Sequence, residues 1–125
     1  MLHNFFQLIE KSATESVSGI TLSAKIIINK DHPIFEGHFP NFPIVPGVCM
    51  IQMIKEILES HLATRLLLTS SGNIKFLSVI NPEKNNELNA EISFIHASDK
   101  VDVVAKLFSA EVIFFKINGA FSILL

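Results

Sequence analysis

Asp31-His-Pro-Ile-Phe-Glu-Gly-His-Phe-Pro-Asn-Phe-Pro-Ile-Val-Pro-Gly-Val-Cys-Met-Ile-Gln-Met-Ile-Lys-Glu-Ile-Leu-Glu59 holds four of the chain's five prolines. Pro33, Pro40, Pro43 and Pro46 each fix φ, remove a backbone donor and push the preceding residue toward extended geometry. Residues 33–46 are therefore expected to form a stiff, irregular loop. Pro46 suits a first helical turn. From Val48 onward Val48, Ile51, Ile54, Leu58 and Leu62 recur at steps of three and four, which predicts a helix over about residues 46–62 with a buried face. Cys49, Met50, Met53 and Ile57 make it apolar around most of its circumference, as expected of a helix enclosed by protein on several sides.

The flanking segments read as strands. Gly19 to Ile28 alternates through Ile20, Leu22, Ala24 and Ile26, the two-residue period of a half-buried strand. Residues 4–15 fit a strand or a short helix equally well. Beyond the helix, Thr69-Ser-Ser-Gly-Asn73 is expected to be a turn, followed by a strand from Asn73 to Ile80 that Asn81-Pro82 stops. Leu88, Ala90, Ile92, Phe94 and His96 alternate with Glu87, Asn89, Glu91 and Ser93, a strand with one wet face. Ala97 to Lys100 makes a turn, and Val101 to Ile117 continues as a long β-rich run bending near Ser109-Ala110. Asn118-Gly119 is the strongest hairpin signal, with a closing strand from Ala120 to Leu124. The order β-β-loop-helix-β-β-β-β suits a sheet curled round one buried helix.

A chain of 125 residues with 49% hydrophobic content is expected to form one domain with a proper core. Ten basic and twelve acidic residues leave a net charge of −2, no field to gather nucleic acid or an anionic bilayer. The mean hydropathy of +0.44 and eleven Phe without Trp or Tyr leave much apolar surface to hide, which predicts a homodimer or higher homo-oligomer. No signal peptide, anchor or membrane-length apolar run is evident, and the expected location is cytoplasmic. The lone Cys49 cannot form an internal disulfide and fits a reducing compartment.

Five histidines are the candidates for acid–base chemistry. His3 lies near a terminus and His61 near a helix end, where solvation is the simpler reading. His32 packs or caps at the loop entrance, and His96 alternates with core residues. They form no ligand-spaced pair and one cysteine builds no zinc site, so no metal is expected. Nor is there a phosphate-cradling glycine loop.

Within the opening stretch, Gly37-His38-Phe39-Pro40-x-x-Pro43-x-x-Pro46-Gly47-Val48 running into a helix closely resembles the signature of the 3-hydroxyacyl-(acyl-carrier-protein) dehydratases. These are the FabZ/FabA-like branch of the hotdog-fold superfamily. The resemblance is specific over residues 33–59 and covers the rest of the chain in element order, with Lys75-Phe76 and Asn81-Pro82 resembling family counterparts loosely. It implies an α+β hotdog fold, an antiparallel sheet wrapped around the helix at about residues 46–62, as a single domain spanning residues 1–125. In that family dimers extend the sheet across the subunit interface. The implied reaction removes water from a 3-hydroxyacyl thioester on acyl carrier protein, giving the trans-2-enoyl thioester of fatty-acid or related lipid and polyketide synthesis, with no cofactor. By resemblance His38 is the base, the amide of Gly47 receives the thioester carbonyl with Val48 beside it, and Phe39, Phe42, Pro46, Val48 and Met53 line the substrate. A plain turn glycine is the alternative for Gly47. Lys55 and Arg65 could meet an acidic carrier, though ordinary surface charge explains them.

The family's acid stands fourteen residues after the histidine, and here that position is Gln52. A carboxamide donates a hydrogen bond but cannot deliver a proton. Three accounts stay open. Glu56, one helical turn on, could supply the acid, the pair resembling the family's Glu-then-Gln with its members exchanged. Against this, Glu56 also reads as an ordinary polar helix residue. Alternatively the chain pairs with a Glu-bearing homologue in a heterodimer, or it binds acyl chains or acyl carrier protein without turnover. A hotdog thioesterase is a fourth, weaker reading.

Overall fold

The computed structural model describes residues 3–36, 43–110 and 112–124. The chain forms β1 (Phe6–Ser16), β2 (Gly19–Ile28), a 3-10 turn (Pro33–Phe35), α1 (Gly47–Leu62), β3 (Arg65–Phe76), β4 (Glu87–Ala97), β5 (Lys100–Ser109) and β6 (Val112–Leu124). Six strands make one sheet in the order β1-β2-β4-β5-β6-β3, every neighbouring pair antiparallel. This is the α+β hotdog arrangement, one helix held by one antiparallel sheet. Residues 4–15, ambiguous by periodicity, lie mostly in β1, because pairing with β2 supplies the backbone partners that a short helix would need from itself.

The two-residue period sends one side of each strand inward. Leu22 and Ile26 of β2, Leu88 and Ile92 of β4, Val101 and Leu107 of β5 and Phe115 and Phe121 of β6 are fully buried. They meet Met53, Ile54, Ile57 and Leu58 of α1, with Cys49 and Met50 at its start. Among the described residues no polar or charged side chain is fully buried. The helix is less enclosed than its composition predicts: Val48 is 73% exposed, and Ile51 and Leu62 are only half-buried. Its start coincides with the proline signal, Pro46 being the N-cap rather than the first helical residue.

Four sequence expectations about β3, β5 and β6 change. Thr69 to Asn73 is not a turn; β3 runs through it, shifting register against β6 between Leu68 and Ser70 and again between Ser71 and Asn73. The small polar residues are β-bulges, which bend a strand without reversing it. The strand expected from Asn73 to Ile80 ends at Phe76. Beyond it Leu77 and Ser78 both donate to the Phe114 carbonyl, and Ile80 is buried. The bend at Ser109-Ala110 is a full reversal, with Ala110 left-handed at φ 48° and Ser109 paired with Val112. Asn118-Gly119 is no hairpin but lies inside β6. There a side chain on Gly119 would come 2.5 Å from the Ser70 carbonyl, so the glycine answers a close approach of the bulged strand.

Candidate active site

The loop that leads into α1 is braced by the sheet. The Val45 N–H donates to the Ile80 carbonyl at 3.0 Å, and Val45 is buried. Pro46 is extended at φ −61°, ψ 145° and gives no side-chain cap, and its carbonyl accepts from Cys49 and Met50. Among the described residues the N–H groups of Gly47 and Val48 have no hydrogen-bond partner, and the first turn carries no acidic side chain. The helix itself thus places no carboxylate at its positive end, beside a glycine. A methyl group on Gly47 would lie 2.8 Å from Cε1 and Cζ of Phe76, so the ring closes directly over it. Ile44, Val45, Gly47, Met50, Phe76, Leu77, Ser78 and Val79 line a crevice of about 460 Å³ there. Such a place can receive a carbonyl or an oxyanion at the amides and an apolar chain along the walls.

On the side of α1 away from the core, Gln52 Nε2 donates to Glu56 Oε2 at 2.9 Å, both side chains half-buried. Residues four apart on a helix stand one above the other, so this contact follows from spacing. Met53 is fully buried in the core and does not line the crevice, a place taken by Met50. Val48 projects outward, and Pro46 caps the helix. His38, Phe39 and Phe42 lie outside the described residues.

The remaining histidines have other occupations. Ile34 N–H donates to Nδ1 of His32 at 3.1 Å, leaving Nε2–H to donate to the His3 carbonyl at 2.9 Å, with the ring edge-on to Phe5. His61 packs edge-on against Phe94, and burial, then the Lys11 charge, lower its pKa. His96 Nε2 meets the Ser98 carbonyl at 3.0 Å. Burial pushes the Cys49 thiol up, which suits a core residue rather than a nucleophile. No group of three or more metal-ligating side chains occurs among the described residues, and no described helix is long and apolar enough to cross a membrane.

Sequence alone places Phe76, Leu77 and Val79 in a strand and not at a site; in the structure Phe76 ends β3, Leu77 and Val79 lie beyond it, and all three wall the crevice. Three large apolar residues beside Asn81-Pro82, all more than half exposed in the structure, were the available signal.

A helix start opening on an apolar crevice, inside one antiparallel sheet, places the chain among hotdog proteins. An uncharacterized protein from Erwinia carotovora subsp. atroseptica shares the fold at a TM-score of 0.71 and 18% identity, covering 99% of this chain and 97% of the other. The dehydratase heterocomplex ApeI:P from Xenorhabdus doucetiae does so at 0.68 and 19%, covering 93% and 98%. The chain belongs to the ApeI-like family, described as ApeI dehydratase, which it matches over residues 12–111. It is also similar to the 3-hydroxyacyl-[acyl-carrier-protein] dehydratase FabZ of Chlamydia pneumoniae, 27% identical over 99 residues. The FabZ of Zymomonas mobilis is 28% identical over 82 residues. The matches take in 72% and 66% of this chain but only 65% and 52% of the length of those two relatives.

Proposed function

We propose that this chain is a hydro-lyase subunit that dehydrates 3-hydroxyacyl thioesters carried on acyl carrier protein, as one hotdog domain over residues 1–125. The observation that carries the reading is the helix start, where the Gly47 and Val48 amides stand without a partner among the described residues beside an apolar crevice. His38 takes the C2 proton, and the C2 electron pair passes into an enolate whose oxygen is held by the Gly47 amide, seconded by Val48. The C2=C3 bond then forms as the C3–O bond breaks, the hydroxyl leaving as water with a proton from Glu56 of a second copy, because nine helical residues, about 13.5 Å, separate Gly47 from Glu56 within one chain. Phe39, Phe42 and Pro46 border the thioester and Met50, Phe76 and Leu77 the acyl chain, with Met53 behind them in the core. No metal or cofactor takes part. Val48, Phe76, Leu77 and Val79 are covered by a second copy in a cytoplasmic homodimer; sedimentation as a monomer at micromolar concentration overturns that association.

The test follows enoyl absorbance when the purified chain meets a 3-hydroxyacyl thioester, beside His38→Ala, Glu56→Gln and Gln52→Glu variants. Turnover lost in the first two supports Glu56 as the acid, with a loss of about 10²–10⁴-fold for Glu56→Gln. Absence of turnover in every form removes the catalytic reading and leaves a binding protein.

A second reading is favoured by the carboxamide at position 52 and by the heterocomplex that the Xenorhabdus doucetiae dehydratase forms. The chain then pairs with a Glu-bearing homologue whose carboxyl group completes the site built on His38. Turnover that appears only in Gln52→Glu, or only on adding a co-purifying homologue, separates this reading from the first.

A further inference from the structure

Among the described residues His32 is the histidine that uses both ring nitrogens at once. The Ile34 N–H donates to Nδ1 at 3.1 Å and so caps the 3-10 turn Pro33–Phe35, while Nε2–H donates to the His3 carbonyl at 2.9 Å. A neutral imidazole has one acceptor and one donor, so a single tautomer serves both bonds. Asn29 takes the next two carbonyls, its backbone N–H donating to Phe5 at 2.8 Å and its Nδ2 to Asn4 at 2.9 Å. Three consecutive carbonyls, those of His3, Asn4 and Phe5, are thus held by one corner of the chain. The fully buried Phe5 ring meets His32 edge-on at 5.4 Å and lies 5.7 Å from the Phe35 ring, which packs the turn against the same segment.

We infer that His32 is a positioning residue for the base His38, an inference that rests on the reading of the active site above. The turn that His32 caps closes with the Glu36 N–H donating to the Pro33 carbonyl at 3.0 Å, and His38 stands two residues after Glu36 in the sequence. On the other side of His38 the chain is tied down again where the buried Val45 donates to Ile80. His32 is therefore one of two anchors that bracket the base, the sheet being the other. The two flanks also converge, for Glu36 and Pro43 border one depression of about 430 Å³ with His32 and Phe35 beside them. The two ring bonds have different consequences. Without the bond at Nε2 the N-terminal segment is released and the turn stays capped. Without the bond at Nδ1 the Ile34 N–H is orphaned, and a three-residue 3-10 turn has too few bonds of its own to fix the direction in which the chain leaves it. A misplacement of about 1 Å costs a reaction on the order of 10²-fold, so the bond at Nδ1 is the one on which the base depends.

The experiment compares the wild type with His32→Ala, His32→Asn and His32→Gln on a 3-hydroxyacyl thioester of N-acetylcysteamine. Asparagine keeps a capping oxygen near the place of Nδ1 and gives up the bond to His3, whereas glutamine reaches the His3 carbonyl and caps poorly. His32→Ala is expected to lower kcat about 10²-fold with KM little changed, the mark of a displaced base in an intact pocket. His32→Asn is expected to recover most of that loss and His32→Gln little of it. Equal kcat in all four proteins overturns the inference, as does a loss in His32→Asn as deep as in His32→Ala, or a loss confined to KM. Urea midpoints are measured alongside, and a kcat that falls only in proportion to the folded fraction marks a merely structural residue and overturns it too. Failure of the active-site reading shows itself separately, as turnover that survives His38→Ala or is absent from the wild type. The ring resonance of His38, identified in a carbon–proton correlation spectrum as the peak missing from His38→Ala, then decides the positioning role alone. A peak displaced or broadened in His32→Ala and restored in His32→Asn supports the role, and a peak unmoved in His32→Ala overturns it.

Discussion

The ring of Phe76 lies so close over Gly47 that a single methyl group added there would sit 2.8 Å from two of its carbons. Phe76 is 55% exposed, so the ring can swing away and the fold tolerates the change. Gly47→Ala is therefore expected to keep its melting temperature within a few degrees yet lose about 10²-fold in kcat/KM, because the displaced ring narrows the crevice and misplaces the thioester. Adding Phe76→Leu should recover most of the activity. A Gly47→Ala protein with full activity would falsify the crevice as the reacting place.

The end of α1 offers a second measurement. Glu59 Oε2 accepts the Leu66 N–H at 2.8 Å, tying the helix to the first residues of β3, while Ala63 ends the helix left-handed at φ 53°. Glu59→Gln is expected to destabilise by about 1–2 kcal/mol, since a charged acceptor is exchanged for a neutral one. Ala63→Gly should stabilise by about 0.5–1 kcal/mol by relieving the strained conformation. Urea denaturation of the two variants should move the midpoint in opposite directions.

Leu58 is fully buried on the helix's inner face. Leu58→Ala is expected to cost about 2–5 kcal/mol, the usual range for a cavity in a close-packed core. Chemical denaturation followed by circular dichroism gives the number directly. A cost under 1 kcal/mol would mean that the sheet does not close on the helix as described.

Cys49 is 2% exposed, and burial raises the pKa of its thiol. Reaction with an aromatic disulfide reagent should be slow in the native protein and complete at once in denaturant. Rapid native labelling would contradict its place in the core.

His61 has a pKa held below the ordinary imidazole value by burial and then by Lys11. The unfolded chain therefore binds more protons than the folded one between the lowered value and about 6.5. Stability is fully present above that upper limit and declines as pH falls through the folded pKa. The ring is partly exposed, so the effect is small. Urea midpoints at pH 5 and 7.5 should differ less in His61→Gln than in the wild type.

Particular residues show how far each level of description reached. Alternation at Leu22, Ile26, Leu88 and Ile92, and the three-four spacing at Ile54 and Leu58, were legible because they report which side of an element is buried, a local property. The proline signal found the helix start to within one residue for the same reason. Turn chemistry failed at Thr69–Asn73 and Asn118-Gly119, since a serine- and glycine-rich run forms a bulge or a reversal according to whether a partner strand is present. Here β3 lies against β6 along its whole length.

By itself the sequence determined the helix, the inward face of β2 and of β4, and the frame of residues from Gly37 to Val48 that resembles a dehydratase family. Tertiary structure alone decided that Phe76 closes over Gly47 and that Met50 rather than Met53 lines the crevice. Such relations depend on the register between segments distant in the chain. One residue of slip turns every side chain of a strand to the opposite face, and no local pattern encodes that choice.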